Sequence, residues 1–480
     1  MQDVSPSAKV SIRADLSNAE ARITAALVVA AWIGIVGPQI AGIDALATVA
    51  HVAFLAWFAI ALPRMRTVEL LFAGAAGVAA IAVVAMVPRP GAALSTAIDR
   101  GALFLAFVAT LNVLRDAAQS SSAVRRAGLY LVTQSPPRRY AALTLGGHVF
   151  GIILNMGVLP LLTAMVRRAN TLATAGGDPG VVEIRERRMI TALLRGFGAT
   201  IAWSPLSVSV GYTLSLVPSL TWFDVALPAF AMAATWMVIG WILDRLQWPA
   251  ATRRGFSPPQ PTSSPAELLP MLGITGLLLL GVIAGKLATG ASLLVAVMGT
   301  VPFMAFAWIG LQHHRRGLSF AFAAVGRRFR NYMLQDLPLM RPEAVVLACS
   351  GFLGVALTAL TDAIGFGDWL GRADLPPAMI ASAAFLSLVL LAQIGITPLI
   401  TATFIGTTIT QMEPMPISPL AVGLAVQTAW SLASATSPFT GGSLVVARLI
   451  GKRPFVLQRW NLPYAAICAA LAIVVFFIWL

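Results

Sequence analysis

The sequence predicts an all-α integral membrane protein of about 11 transmembrane helices and two re-entrant hairpins, arranged as two inverted repeats. Three observations predict it. The chain of 480 residues is 58% hydrophobic and only 11% charged, more apolar than a soluble core can hide. In lipid each spanning segment must satisfy its own backbone, so the long apolar runs are helices. Three motifs also recur in the same order at a nearly constant offset. Leu111-Asn112-Val113-Leu114-Arg115-Asp116-Ala117 answers Leu357-Thr358-Ala359-Leu360-Thr361-Asp362-Ala363. Gly157-Val158-Leu159-Pro160-Leu161-Leu162-Thr163-Ala164 answers Gly395-Ile396-Thr397-Pro398-Leu399-Ile400-Thr401-Ala402. Ala202-Trp203-Ser204-Pro205-Leu206-Ser207 answers Ala435-Thr436-Ser437-Pro438-Phe439-Thr440.

The first span, 23–42, follows a mixed-charge stretch without a small-residue cleavage site, so it is expected to be retained rather than removed as a signal peptide. Residues 1–43 stand outside the duplication. Repeat one, residues 44–246, holds spans near 45–62, 68–87, 102–115, 190–218 and 222–244, with a hairpin near 141–166. A Pro/Ser-rich stretch, Ser257 to Pro265, marks a cytoplasmic linker over 247–266. Repeat two, residues 267–480, holds spans near 267–285, 291–312, 343–361, 418–447 and 461–480, with a hairpin near 378–412. Five spans per repeat is an odd number, so the second repeat must sit upside down relative to the first. Between spans, Leu318, Phe322, Val325, Phe329, Met333 and Leu337 recur at helical spacing among Arg327, Arg328 and Arg330. This predicts an amphipathic helix along the cytoplasmic interface over 315–337.

A net charge of +14 in a soluble protein would point to nucleic acid. Here it is a topology signal. With the N-terminus cytoplasmic and the C-terminus outside, all of the 33 Lys and Arg fall inside except Arg89, Arg100, Lys286 and Arg372. Reading either hairpin as a single crossing would put the later basic loops on the wrong side. No nucleic-acid partner is expected. Cys349 and Cys468 lie within apolar runs and read as small core residues, with no metal or disulfide role.

The candidate site residues cluster at two kinds of break. Each hairpin carries glycine and proline at mid-length: Asn155, Gly157 and Pro160 in the first, Gly395, Thr397 and Pro398 in the second. Proline removes a backbone bond and glycine permits a reversal. Broken backbone at membrane depth is tolerated only where it is buried or lines a wet cavity. Its helix N-termini can hold an anion and its carbonyls Na⁺. Asn155, Thr163, Thr397 and Thr401 add neutral ligands. The Ser204-Pro205 and Ser437-Pro438 breaks interrupt stretches longer than the roughly 20 residues a straight crossing needs, with Ser207, Thr440 and Ser443 as neighbouring hydroxyls. Pro160, Pro205, Pro398 and Pro438 are expected to converge around one polar cavity. The matched Asp116 and Asp362 either cap the following segments or carry protons, and His148 is a further proton candidate. No nucleotide loop, metal-ligand cluster or paired-aspartate motif supports catalysis on a substrate.

A cytoplasmic N-terminus, eleven spans, one hairpin per repeat and a broken span after each hairpin resemble the ion transporter superfamily. That superfamily includes divalent-anion:Na⁺ symporters, citrate carriers, and arsenite and Na⁺/H⁺ antiporters. The resemblance covers about residues 44–480. The Ser-Asn-Thr-type hairpin tips of the symporters are reduced here to Asn155 in the first tip, and the second has no asparagine. What the resemblance implies is an elevator-type homodimeric carrier in a bacterial inner membrane. Such a carrier moves a small, anionic metabolite with Na⁺ or H⁺ as coupling ion and needs no other cofactor. A cation/H⁺ antiporter of the same fold, or the membrane subunit of a binding-protein-dependent carrier, are the open alternatives.

Overall fold

Runs of apolar side chains set the helices, and glycine, proline and short polar stretches set where they stop. The computed structural model describes residues 18–248, 264–365, 375–410, 412 and 415–480. The linker residues 249–263 and Arg372 lie outside these. The helices are α1 (Asn18–Ala41), α2 (Leu46–Ala61), α3 (Thr67–Met86), α4 (Pro90–Gln119) and α5 (Ser122–Val132). Next come α6 (Pro136–Leu154) and α7 (Val158–Ala169), then α8 (Pro179–Ile201) and α9 (Val208–Leu216), then α10 (Trp222–Gln247). There follow α11 (Leu269–Thr289), α12 (Leu293–His313), α13 (Leu318–Asn331) and α14 (Arg341–Ala363). The last are α15 (Pro377–Gln393) and α16 (Pro398–Thr410), α17 (Pro419–Thr436) and α18 (Gly441–Ile450), and α19 (Pro454–Trp479).

Among the described residues, ten helical stretches are long and apolar enough to cross a membrane, and the chain is an integral membrane protein. Nine of the ten coincide with expected spans; the tenth is the first hairpin taken end to end, Pro137–Ala169. The two remaining expected spans, 190–218 and 418–447, are helix pairs, α8/α9 and α17/α18, each interrupted where Ser-Pro stands. The expected span 102–115 is the middle of a longer helix of 30 residues, α4. Its stretch Ala102–Ala109 is buried on every face, as befits a helix that is hydrophobic all round.

Contacts divide the chain into two compact units. The first comprises 1–120 and 280–364. At its centre α14 crosses α4 at Gly351, where a Cβ would come within 2.5 Å of the Phe104 ring and 3.0 Å of the Arg100 carbonyl. Glu69 of α3, only 3% exposed, is paired with Arg341 of α14 at 3.2 Å. The second unit comprises 121–279 and 365–480 and holds both hairpins and both broken spans. Gly147 and Gly196 bring α6 against α8, and Gly198 brings α8 against Ala435 of α17. Asp244 of α10, 4% exposed, takes two hydrogen bonds of 2.7 Å from Arg188 of α8.

The amphipathic segment begins in a tight turn, His314–Arg316, continues as α13 and ends in a π-helical turn, Tyr332–Asp336. Leu318 and Phe322 stand more than 70% exposed, whereas Phe329 packs on Phe306 of α12. The sequence reading placed no element at α5. At 11 residues it cannot span, but Val124, Ala127, Gly128 and Leu131 form a buried stripe, with Gly128 lying under Met165 and Leu162 of α7.

Candidate functional site

Four breaks, all in the second unit, carry the candidate residues. The first hairpin reverses through Asn155–Gly157, between α6 and α7. Asn155 has φ 48° and ψ −134°, and it is the one non-glycine residue with positive φ among those described. The turn residue is therefore Asn155, not Gly157, which has an ordinary helical φ of −64°. Asparagine tolerates this strained region better than most side chains, and such strain concentrates at functional sites. In the second hairpin glycine does serve the turn, Gly395 with φ 98°. The prolines also act differently from kinks. Pro160 lies in the first turn of α7, Pro398 opens α16, and Pro205 and Pro438 lie in the non-helical stretches of the broken spans. At these places a missing N–H costs no helical bond.

Contacts tie these breaks together. A Cβ at Gly441, which opens α18, would lie 2.7 Å from Met156 at the first hairpin tip. One at Gly442 would lie 2.6 Å from Leu159 of α7. Ser437 donates 2.7 Å to the Ala392 carbonyl near the end of α15, so the second broken span is bonded to the second hairpin. The Tyr212 hydroxyl of α9 is hydrogen-bonded to Thr403 of α16, and Trp203 donates 3.2 Å to His148 of α6. The first broken span thus touches both hairpins.

The hydroxyls fall into two groups. Those at the broken spans are satisfied, Ser437 by its bond to Ala392 and the others locally. Ser204 accepts from the Leu206 N–H at 3.4 Å, and Ser207 pairs with Ser209 at 3.2 Å. Thr440 caps α18 through the Ser443 N–H at 3.4 Å and donates 3.1 Å to the Ser443 hydroxyl. Several on the hairpins are not: Thr163, Thr397 and Thr401 each carry a buried Oγ1 with no partner, as do Thr144 and Thr408, and the Ser382 hydroxyl is likewise unpaired. A helical threonine ordinarily bonds the carbonyl one turn back. Here Thr110, Thr213, Thr403, Thr428 and Thr436 do so. Thr163 and Thr401 occupy the same place in the two motifs, three residues after proline, with 0% and 4% exposure. Thr163 also lies one turn beyond Leu159 on one face of α7, the face against Gly442.

The proton candidates part company. Trp203 can only donate, so its bond to His148 Nε2 makes that nitrogen an acceptor and puts the ring proton on Nδ1, 3.3 Å from the Thr200 hydroxyl. His148 is a neutral, satisfied ring stacked on Trp203. Asp116, in the first unit, accepts 2.8 Å from Arg328 of α13. Its counterpart Asp362 is exposed near the end of α14.

Two buried polar groups escaped the sequence reading. Gln427, in the middle of α17, is 0% exposed and neither amide atom has a partner. Arg195, in α8, is 3% exposed. Its Nε donates 2.8 Å to Asn461 and its Nη1 2.9 Å to the Tyr140 hydroxyl, while the guanidinium lies 4.4 Å over the Tyr464 ring. Among the described residues no carboxylate lies within ion-pair distance of it. A charge inside a longer apolar stretch was the available signal for Arg195; for Gln427 there was none beyond its type.

No protein-family model matches the chain, and no curated protein matches it either. Among solved structures it is similar to the Alcanivorax borkumensis YdaH transporter, at 15% identity over 78% of this chain and 84% of that one, with a TM-score of 0.48. It is similar also to Neisseria gonorrhoeae MtrF, whose structure is said to illuminate a class of antimetabolite efflux pumps. That likeness is 14% identity over 78% of this chain and 80% of that one, with a TM-score of 0.48.

Proposed function

We propose that the chain is a secondary active transporter that moves a small, anionic metabolite across the membrane, coupled to Na⁺ or H⁺. The observation that carries this reading is the repeat-matched pair Thr163 and Thr401, buried and unpaired on the second arms of the two hairpins. An unmade bond on a buried polar atom costs about 1–3 kcal/mol, so two at equivalent places are best understood as ligands kept for a passenger. Neutral hydroxyls suit an anion that must be released each cycle, and their oxygens suit Na⁺. In this reading the repeats are inverted and the protein is an elevator-type homodimer of the ion transporter superfamily. The unit holding both hairpins and both broken spans carries the site. The membrane is a bacterial inner membrane, with the N-terminus cytoplasmic and the C-terminus outside. The Arg328 partner of Asp116 speaks against a cation/H⁺ antiporter built on that carboxylate.

A thermal-shift screen of the purified protein tests the reading, with citrate, succinate, malate and phosphate supplied as sodium or choline salts. One anion should raise the melting midpoint in a saturable way, worth about 2.7 kcal/mol at a hundredfold excess over its dissociation constant. Stabilisation by Na⁺ alone, equal for every anion, would replace the metabolite carrier with a cation carrier.

Asn155 gives a narrower test. Asn155→Gly keeps the positive-φ turn and removes the side-chain amide. Folding should be unchanged while the Na⁺ concentration for half-maximal uptake rises severalfold. An unchanged Na⁺ dependence would take Asn155 out of the coupling site and leave it a turn residue.

A further inference from the structure

We propose that the second unit carries a lipid site, in which Arg138, Arg139, Arg187 and Arg245 hold the phosphodiester of an anionic phospholipid. Three helices bring them together: the first turn of α6, the first half of α8 and the last turn of α10. The Arg245 Nη2 donates 3.0 Å to the carbonyl of Pro137, beside Arg138. Asp244, the residue before Arg245, accepts two bonds from Arg188, the residue after Arg187. Arg187 lies 5.7 Å over the ring of Trp248, just past the end of α10. Arg139 is close enough to Arg185 and Arg188 for their charges to repel its own. Contacts therefore run unbroken from α6 to α8 to α10 inside one unit.

What this cluster lacks is a counter-charge. Among the described residues no carboxylate lies within ion-pair distance of any of the four. Asp244, the acid in their midst, has both oxygens taken by Arg188. The sequence that follows Trp248, residues 249–263, adds Arg253 and Arg254 and no Asp or Glu. An arginine at a membrane surface can ordinarily snorkel outward to water. Three of these are held instead. Arg139 donates 2.8 Å to the Gln134 carbonyl, Arg245 is fixed by Pro137 and by the Trp241 ring 5.1 Å away, and Arg187 rests on Trp248. Like charges fixed side by side repel, and an anion shared among them removes that cost. The planar guanidinium fork matches the two free oxygens of a phosphodiester. Side chains already held in place lose little further freedom on binding it.

The setting selects a lipid as the source of that phosphate. α10 is one of the helical stretches long and apolar enough to cross a membrane. Its last two turns expose Trp241, Ile242 and Leu246, at 40%, 43% and 70%, so apolar surface for acyl chains adjoins the guanidiniums. Tryptophan beside arginine is the pairing of a membrane–water interface. The headgroup charge follows from the same count. Phosphatidylethanolamine and phosphatidylcholine carry their own ammonium, which these arginines would repel, whereas phosphatidylglycerol carries its phosphate alone.

Native mass spectrometry and thermal melting of the delipidated, purified protein test this. The probes are phosphatidylglycerol, phosphatidylethanolamine and phosphatidylcholine with identical acyl chains, and soluble glycerol 3-phosphate. Phosphatidylglycerol should bind about tenfold more tightly than the other two lipids and give the largest rise in midpoint. The double substitution Arg138→Gln with Arg139→Gln, neither of which bonds another helix, should abolish that preference. The same loss of charge on α13, Arg327→Gln with Arg330→Gln, should leave it intact. A preference that survives the first pair, or falls equally with both pairs, would overturn the proposal, because total charge and not this cluster would then set it. A response to glycerol 3-phosphate that exceeds the lipid's would overturn the lipid as the source of the phosphate. Equal binding of the three lipids by the unsubstituted protein would overturn the site outright, and that comparison needs no variant to fold.

Discussion

Replacing Asn461 by leucine is expected to destabilise the second unit by about 1.5–3 kcal/mol, the range for a hydrogen bond made to a charged group. Asn461 is fully buried in α19 and accepts the Arg195 Nε bond, while its own amide donates 3.0 Å to the Leu457 carbonyl. Leucine fills the same space and accepts nothing. The Arg195 guanidinium would then stay buried with only the Tyr140 hydroxyl, the Gly240 carbonyl and the Tyr464 ring as company. Combining Asn461→Leu with Arg195→Met should recover most of the loss, since an apolar pair of similar volume removes the charge together with its need for a partner. A melting midpoint for the double variant below that of Asn461→Leu alone would mean that the Arg195 charge has a use beyond joining α8 to α19.

The second large effect is steric. Gly196 sits where α8 crosses α6, and a Cβ there would penetrate the Thr144 carbonyl, oxygen and carbon alike. Backbone cannot rotate out of the way as a side-chain tip can. Gly196→Ala should therefore cost at least the roughly 3 kcal/mol at the top of the usual overpacking range, and the protein should lose its monodisperse elution in detergent. Gly273→Ala, at a position with nothing within 4 Å of a Cβ, is the matched control and should elute as the unsubstituted protein does. Equal behaviour of the two would mean that α6 and α8 are not packed this closely.

The breaks were legible because proline and glycine punctuate helices by backbone chemistry alone. Ser204-Pro205 and Ser437-Pro438 interrupt α8/α9 and α17/α18 where the sequence placed them. Their mechanical role was less legible. Asn155 and Gly157 are two residues apart, and nothing local says which will take the positive φ. The sorting of hydroxyls was invisible for a different reason. Thr163 and Thr403 look alike in sequence, and whether one bonds its own helix depends on a rotamer set by neighbours far along the chain. Arg195 was absorbed into the count of positive charges that orient the helices, which treats every arginine as lying at an interface. The two compact units were not legible either. Each is assembled from separated segments, which sequence order does not reveal.

The central claim is that Thr163 and Thr401 are kept unpaired for a passenger. Thr163→Val and Thr401→Val remove an oxygen and keep the shape. Once the anion screen has identified a stabilising salt, the doubly substituted protein should be measured in the same assay beside the unsubstituted one. If the hydroxyls hold the passenger, its melting midpoint without ligand should be equal or higher, because two unmade bonds are gone, while the ligand-induced rise is lost. A double variant that keeps the full ligand-induced rise would contradict the account.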